Sequence, residues 1–479
     1  MSDQSLGQIK TYSVPDGIET AADFAVEVRP LDSHGDAWTR VPTLAVEVAS
    51  INTTSSVFNK HCISVASLDI RGPIQVRATY KAGPVATARV RPASYGIDTT
   101  VENDAVTFAL DNGGAVMVEI NGDKRQALHL LINEIDESAP TGDDEGTWYF
   151  GPGINNGSAS SRIKDGDLDV PDGVTVYLSG GAFLTARLNF RGVSGAGVRG
   201  HGFIYKPGRG AILIERSRNI RVQGVTSIGA TGFSLTTGEA HGVHIDRYRS
   251  FSSAGNGDGL DFFCSTDVLA ERCFLRNSDD TVAIYGHRWD YYGDTRDITV
   301  RDCVLLPDIA HPLHMGTHGC PEKPETMSRI RISNIDILDH EENQLWYQGC
   351  ISINAGDGNL IEDVHVEDVR VEKVTKGQLV NLRVMQNARW TTAPGRGIRD
   401  VVIKNLRLNM EDSEVVNPSQ VLGLDGERYV ENVTFEDLRV GDRLVYEGMP
   451  MPHWYMVADM VPLFANEHVK NLTFVCSLE

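Results

Sequence analysis

The chain of 479 residues contains no apolar run of about 18 residues, so we expect no segment that crosses a bilayer and no membrane partner. Positive charge is also scarce: 44 lysines and arginines stand against 65 aspartates and glutamates, which gives a formal net charge of −21. Because phosphate binding requires clustered cations, this balance predicts that nucleic acid is not a partner. The same balance disfavours a strongly polyanionic sugar chain as the substrate.

Cysteine is the second scarcity. The seven cysteines are an odd number and show no CxxC spacing, which predicts reduced thiols and disfavours both a disulfide framework and a zinc site. The first residues, MSDQSLG, carry neither the basic start nor the apolar stretch of a secretory signal. We therefore expect a cytoplasmic location, unless an export signal has been removed.

Helical periodicity is almost absent, because apolar residues alternate with a period of two. From about residue 195 onward one phrase recurs: β-branched and polar residues alternate, and Asp, Asn or Gly flanks them. The first apolar residues of eight successive copies are Ile220, Val243, Val268, Ile298, Ile330, Val364, Val401 and Val433. Steps of 23 to 37 residues predict stacked three-strand coils with loops of variable length, that is, a right-handed parallel β-helix. A leucine-rich horseshoe would need a helix and fixed Leu spacing in each repeat, and neither is visible.

The N-terminal part has a different pattern. Short alternating segments such as 74–80 and 106–110 are separated by Gly, Asp and Asn turns, which is typical of an antiparallel β-sandwich. Ser, Pro, Thr, Gly and acidic residues crowd together between Glu137 and Trp148. We therefore expect an all-β protein with a sandwich domain over residues 1–140, packed against the first coils of a β-helix domain over residues 141–479.

Two acidic clusters point to chemistry. Asp258 lies in the segment 256–261, NGDGLD, and Asp279 and Asp280 lie in the segment 278–280, SDD. The 21 residues between Asp258 and Asp279 are close to one repeat, so these two side chains should stack about one strand spacing of 4.8 Å apart. Crowded carboxylates cannot all ionise, and the pair of an acid and a base that results is what hydrolysis of a glycosidic bond requires. Asp and Asn that merely cap turns are the alternative.

The two clusters, followed by HPLHMGT at 311–317, resemble the Asn-Thr-Asp, Asp-Asp and Gly-His-Gly signatures of glycoside hydrolase family 28, the polygalacturonase family. The resemblance covers roughly residues 150–410. The layout of a sandwich followed by a helix is also similar to that of family 49, which contains dextranase and isopullulanase. A parallel β-helix that hydrolyses an oligo- or polysaccharide is therefore implied.

Carried over residue by residue, the resemblance implies a role for each acidic side chain. Asp279 would be the general acid, Asp258 and Asp280 would together activate water with inversion at the anomeric carbon, and His311 would tune or relay the proton. The family's Arg-Ile-Lys signature, which grips the carboxylate of galacturonic acid, aligns here with residues 352–354, SIN. Because no cation stands there, we expect a neutral or mixed-sugar substrate rather than homogalacturonan, with a polygalacturonase-like pectin hydrolase as the alternative.

Several other side chains are candidates for substrate binding. Asp261 flanks the acidic cluster, and strand alternation is expected to turn His314 toward solvent and Leu313 and Met315 inward. Aromatic planes pack well on the apolar faces of sugar rings, so we predict that Trp289, Tyr291 and Tyr292 wall a binding subsite, unless they only pack their loop onto the helix. Trp346 and Tyr347 lie in a similar insertion.

No cofactor is expected. The spacing of His311, His314 and His318 fits no common zinc motif, so the prediction is a site without a metal. Two other classes of function stay open: a β-helix polysaccharide lyase or epimerase, and a non-catalytic carbohydrate-binding protein. The sequence leaves the oligomeric state undetermined.

Overall fold

The computed structural model describes residues 7–32, 37–52, 55 and 57–477. Regular structure in these residues consists of β-strands and three short 3-10 turns, at Ala93–Tyr95, Leu345–Tyr347 and Val457–Met460. Among them no helix combines the length and the apolar character needed to cross a membrane. The predicted all-β class is confirmed.

Two N-terminal sheets form a sandwich. Their strands are β1 (Gln8–Thr11), β2 (Phe24–Pro30), β3 (Thr39–Val41), β4 (Thr43–Ile51), β5 (Phe58–Arg71), β6 (Ile74–Tyr80), β7 (Ala88–Arg91), β8 (Thr100–Glu102), β9 (Ala105–Leu110), β10 (Gly114–Ile120) and β11 (Asp123–Glu134). One sheet has the order β1-β5-β11-β10-β7 with β4 also on β5, and the other has the order β3-β2-β6-β9-β8. All pairings are antiparallel except that of β11 with β5.

The remaining strands coil into a parallel β-helix. They are β12 (Thr147–Phe150), β13 (Gly153–Asn155), β14 (Asp167–Asp169), β15 (Thr175–Leu178), β16 (Ala182–Leu184), β17 (Arg187–Arg191), β18 (Gly197–Gly200), β19 (Phe203–Tyr205), β20 (Ile212–Glu215), β21 (Arg218–Gln223), β22 (Thr226–Ile228), β23 (Leu235–Gly238), β24 (His241–Asp246), β25 (Arg249–Phe251), β26 (Leu260–Phe263), β27 (Thr266–Glu271), β28 (Phe274–Asn277), β29 (Val282–Tyr285), β30 (Thr295–Pro307), β31 (Leu313–Gly316), β32 (Thr326–Ile337), β33 (Ile351–Ala355), β34 (Leu360–Val371), β35 (Lys376–Gln378), β36 (Val380–Val384), β37 (Gly397–Leu408), β38 (Val415–Asn417), β39 (Ser419–Leu422), β40 (Val430–Glu436), β41 (Leu438–Val440), β42 (Arg443–Val445), β43 (Leu463–Ala465) and β44 (Val469–Val475).

Each early coil contributes three strands, such as β21, β22 and β23, and in the coils of β30, β32, β34 and β37 the first two strands merge into one long strand. The first strands of the coils belong to a twenty-stranded sheet, and the third strands form an eleven-stranded sheet with the order β14-β17-β20-β23-β26-β29-β31-β33-β36-β39-β43. The eleven-stranded sheet carries the residues predicted to be functional.

Equivalent residues of the sequence repeat pair with one another in the parallel sheet. Ile220 pairs with Val243, and the same row continues without a slip through the six other predicted positions to Val433. The Asp or Asn before the first apolar residue is explained by the backbone, because this position has a left-handed conformation in successive coils, for example at Asp267 (φ 58°) and Asp297 (φ 58°). Asn and Asp tolerate this conformation better than other side chains do. Their amides also bond between coils, as from Asn432 to Asp400 at 2.8 Å.

Two apolar cores hold the layers together. The inward-facing rows of the β-helix are closely packed, and Cys273 and Cys303 stack there, with the Cys273 amide 3.4 Å from the Cys303 sulfur. A separate apolar cluster joins strands β4, β5, β10 and β11 to a row on the helix that runs from Phe183 to Leu338. The sandwich therefore packs along the flank of the helix and reaches beyond the first coils, against which it was expected to pack.

We predict that Ile298→Ala lowers the free energy of unfolding by about 2–5 kcal/mol, because this fully buried side chain fills the space between two coils. The neighbouring change Thr299→Ala alters an outward-facing side chain and should cost well under 1 kcal/mol. Urea unfolding of both variants measures the difference. Equal costs at the two positions would contradict the assigned direction of the row.

Candidate active site

The acidic residues gather on the outer face of the eleven-stranded sheet, where strands β26, β29 and β31 begin. Leu260 pairs with Val282, and Val282 pairs with Leu313. Asp258, which precedes Leu260 by two residues, therefore lies beside Asp280, and Asp280 lies beside His311. The sequence analysis paired Asp258 with Asp279; this expectation is wrong by one residue, because the coil takes 22 residues rather than 21. Asp258, Asp279 and Asp280 nevertheless offer oxygens that lie within 4.8 Å of one another.

The turn that carries Asp258 is fixed by buried hydrogen bonds. The amide of Asn277 donates to the Gly257 carbonyl at 3.1 Å and to the hydroxyl of Ser252 at 3.1 Å. Gly259 is required by close approach, because a Cβ there would lie 2.4 Å from the Thr281 carbonyl oxygen. These contacts hold the backbone of the first acidic motif tightly against that of the second.

Asp280 and His311 form a buried ion pair. The ring of His311 donates from Nδ1 to Asp280 Oδ1 at 2.6 Å and from Nε2 to the carbonyl oxygen of Tyr347. Since both neighbours are acceptors, both ring nitrogens must carry hydrogen, and His311 is an imidazolium. Asp280 also accepts from the His311 amide at 3.0 Å and from the Tyr285 hydroxyl at 3.0 Å. A relay role for His311 is not favoured by this geometry, because neither nitrogen is free to accept a proton.

The proton affinities of the two adjacent aspartates are split. Burial raises the pKa of Asp280, but the charge and hydrogen bonds of His311 outweigh burial and hold this pKa well below its ordinary value. Burial and the charge of Asp280 raise the pKa of Asp279 to about 7. Asp279 is also the only one of the four clustered aspartates that is not fully buried. The site therefore presents a protonated carboxyl at its surface and an ionised carboxylate beneath it near neutral pH.

Asp258 and Asp261 form a second, neutral pair. Burial raises the pKa of both well above the ordinary value, and the next largest causes are the charge of Asp261 for Asp258 and the charge of Asp280 for Asp261. Among the described residues, only the carboxyl of Asp258 is placed to donate a hydrogen bond to Asp261. Two acids can be buried in contact because a protonated carboxyl donates a hydrogen bond to its neighbour.

With this geometry in place, comparison with known proteins identifies the family. The model of glycosyl hydrolases family 28 matches residues 187–443, which is more than half of the chain and includes every clustered acid. The chain belongs to this family. The family 28 resemblance found in the sequence motifs is thus confirmed.

Individual relatives of the family 28 chain are distant. It is 26% identical over 131 residues to a polygalacturonase of Chamaecyparis obtusa and 24% identical over 204 residues to a polygalacturonase of Juniperus ashei. These matches cover 27% and 41% of the chain and only 24% and 37% of the two relatives.

The solved structure of Dex49A from Penicillium minioluteum superposes with a TM-score of 0.66 at 12% identity, covering 97% of this chain and 96% of that one. The sandwich and the helix of the family 28 chain thus share a fold with Dex49A along their whole length.

His314 lies on the outer face as predicted, but it does not reach solvent. Its side chain is fully buried, because the ring of Tyr347 covers it, and it bonds to Ser352 at 3.0 Å and to Thr317 at 2.9 Å. Burial and the charge of His311, whose ring stacks on it at 4.5 Å, lower the pKa of His314 to about 3. The prediction of solvent exposure is wrong, and His314 is a neutral support beneath the site.

The aromatic loop after β29 divides into two kinds of residue. Trp289 and Tyr292 are 56% and 43% exposed, and Trp289 packs on Phe263, which lies next to Tyr285 on the outer face. Tyr291 is only 5% exposed and donates its hydroxyl hydrogen to Glu215 at 2.8 Å. Tyr291 therefore packs the loop onto the helix, which was the alternative, whereas Trp289 and Tyr292 keep surface that a sugar could contact.

Three residues of the family 28 site escaped the sequence analysis or received little weight. Tyr285 is the fifth residue after Asp280, and the alternation of β29 could have placed it on the outer face. Tyr347 comes from a loop whose position no local pattern specifies. Glu342 is buried, and its charge helps to raise the pKa of Asp279. It also lies in an insertion, so no local pattern specifies its position.

Within the part of the chain that the structure describes, two groups of side chains have the composition of metal ligands: Asp280 with His311 and His314, and the cluster of Asp258, Asp279 and Asp280. His311, however, uses both nitrogens as donors, so it has no lone pair for a metal ion in this arrangement. The hydrogen bonds of the family 28 site instead arrange protons, with one carboxyl that can give a proton and one that stays ionised.

We predict that Asp261→Asn raises the melting temperature by a few degrees or more at pH 8 and by less at pH 5. A carboxyl whose pKa is raised by folding stabilises the folded state at low pH, and this contribution is lost as the pH rises. An amide of the same shape does not ionise, so the variant escapes that loss. Thermal unfolding across this pH range measures the effect, with Asp442→Asn at an exposed position as the control. A stability difference that is independent of pH would contradict the raised pKa.

Proposed function

We propose that this chain is a glycoside hydrolase that cleaves glycosidic bonds in an oligo- or polysaccharide with inversion at the anomeric carbon. The observation that carries the proposal is the split in proton affinity between the adjacent side chains of Asp279 and Asp280. General acid and base catalysis by a carboxyl pair needs this difference. Membership of family 28 supports the same reaction class.

Asp279 is proposed as the general acid. Its pKa of about 7 keeps a large fraction protonated near neutral pH, and its partial exposure lets it reach the leaving oxygen. The backbone amide of Asp280 donates to Asp279 Oδ1 at 3.0 Å, which leaves Oδ2 to carry the proton toward the substrate. After proton donation, the charge on His311 stabilises the carboxylate that forms.

Asp280 is proposed as the base that activates water. It stays ionised because the imidazolium of His311 and the hydroxyl of Tyr285 hold its negative charge. Asp258 was expected to share the work of the base, but its raised pKa assigns it the neutral form in the free protein. We therefore propose that Asp258 orients the water by hydrogen bonding, while Asp280 attracts its proton.

The stereochemical outcome rests on two opposing observations. Carboxyl oxygens within 4.8 Å are closer than the roughly 6.5–9.5 Å found in most inverting enzymes, which by itself favours retention. Asp280, however, is buried, and among the described residues its Oδ2 accepts only from Tyr285, so a small water molecule can reach the remaining lone pair of Oδ2 more readily than a sugar carbon can. Asp258 is neutral and thus a poor nucleophile. Attack by water with inversion is the outcome that this arrangement favours.

The identity of the sugar in the substrate is a separate part of the proposal. Ser352 and Asn354 stand where the family signature has cations, which supports a neutral or mixed-sugar chain rather than homogalacturonan. The polygalacturonase names of the two curated relatives support an acidic chain. Arg383 is a cation on the same sheet and favours a chain that contains acidic sugars.

We predict that Asp279→Asn lowers kcat for oligosaccharide hydrolysis by about 10²–10⁴-fold, because the amide cannot protonate the leaving oxygen. Proton NMR of the first products of the wild-type protein, from a panel of neutral and pectic oligosaccharides, should show the inverted anomer. Asp165→Asn, at an exposed position away from the cluster, is the matched control and should keep full activity. Unchanged activity in Asp279→Asn would refute the assigned acid, and a retained anomer would refute inversion.

The pH dependence follows from the same two carboxyls. Because the acid must be protonated, kcat/KM should fall as the pH rises through about 7, the pKa of Asp279. Because Asp280 is held ionised below the ordinary carboxyl range, the loss on the acid side should lie below pH 4, and circular dichroism at each pH checks that the protein is still folded. His311→Gln removes the imidazolium and should move the acid-side loss upward. A pH profile of the variant that matches the wild type would show that His311 does not hold the charge of Asp280.

A further inference from the structure

Arg383 is a cation on the outer face of the sheet that carries the acidic cluster. It lies on β36 and pairs with Asn354 of β33. The preceding pair on the same two strands, Ile353 and Leu382, points into the core, so Arg383 and Asn354 point outward. The row that contains Arg383 begins near the cluster with Tyr285 and passes Gly316, which has no side chain, before it reaches Asn354. Arg383 thus stands three strands beyond β29, the strand that follows Asp279 and Asp280, which separates them by at least about 14 Å across the sheet.

The guanidinium of Arg383 lacks an acidic partner among the described residues, although the chain is strongly acidic. Its carbon lies 4.4 Å from the centre of the Trp346 ring, and Nη1 donates to the Trp346 carbonyl oxygen at 3.4 Å. Arginine has five N–H donors in a planar fork that matches a carboxylate. The fork is therefore held in place by Trp346 while most of its donors have no acceptor within the part of the chain that the structure describes.

An exposed aromatic ring and two amide oxygens that lack a donor among the described residues lie near Arg383. The Trp346 side chain is 56% exposed. Asn354 and Asn381 are fully buried, and each donates from its amide nitrogen, to Ser352 and to the Gln348 carbonyl oxygen respectively. The side-chain oxygens of both residues have no donor. Unpaired buried acceptors are costly, and hydroxyl groups of a bound sugar would satisfy them.

We propose that Arg383, Trp346, Asn354 and Asn381 form a subsite for a sugar that bears a carboxylate, more than one sugar position away from the bond that is cleaved. The proposal rests on the proposed function. One sugar residue extends a chain by roughly one strand spacing, so a sugar over β33 lies between the cleaved bond, which is beside β29, and a sugar over β36. Ser352 and Asn354 offer that sugar no cation, and the acidic sugar follows over β36. The substrate is thus a mixed chain in which an acidic sugar flanks a neutral one.

Binding measurements in an inactive background test this subsite. With Asp279→Asn as the parent, isothermal titration compares a short oligogalacturonate with its methyl-esterified form, which has the same shape without the charge. We expect Arg383→Met to weaken binding of the charged ligand about tenfold or more and to leave the neutral ligand unchanged, because a hydrogen-bonded charge pair is lost. Arg383→Lys should bind with intermediate affinity, since it keeps the charge without the planar fork.

Matched variants separate this role from folding and from general electrostatics. Arg389→Met removes an exposed arginine that stacks on Trp390 in the next loop, and it should change neither affinity. Trp346→Ala should weaken both ligands. Equal losses for the charged and the neutral ligand in Arg383→Met, or no loss for either, would overturn the subsite. Hydrolysis of neutral oligosaccharides that still depends on Asp279 would leave the proposed function standing in that case.

Discussion

The in-register stacking of parallel coils is the constraint on which the rest of the structure depends. Left-handed corners at the ends of the strands, occupied mostly by Asp and Asn, fix where each strand of the twenty-stranded sheet begins, and the inward rows of Val, Ile and Leu then allow a single register. A slip by one residue would turn every apolar side chain outward. Side chains at equivalent positions are consequently held about one strand spacing apart, whether they attract or repel each other.

This constraint makes a crowded acidic cluster possible. Four aspartates meet where β26 and β29 begin, and burial prevents water from screening them. The fold compensates for one charge with the imidazolium of His311 and leaves two other carboxyls protonated. The proton affinity that a general acid needs is thus a consequence of packing like charges in register and neutralising only one of them.

The same sheet continues away from the cluster and changes its chemical character strand by strand. Fully buried histidine and serine follow the acids, and then come amides and an arginine. A sugar chain lying across the strands would meet one row of side chains for each residue of its length. The fold therefore couples position along the substrate to position along the helix, which gives each subsite its own set of side chains.

The sequence by itself determined the β-helix, its register and the identity of the acidic motifs, because these depend on local alternation and on residues that tolerate left-handed corners. The pairing of aspartates predicted from the sequence was wrong by one residue, because packing such as that around Gly259 sets the turn lengths within a coil. The burial of His314 and Tyr291, and the approach of Tyr347 and Glu342 to the site, depend on the tertiary structure. These contacts join residues from different insertions, and only the closed packing of the coils brings them together.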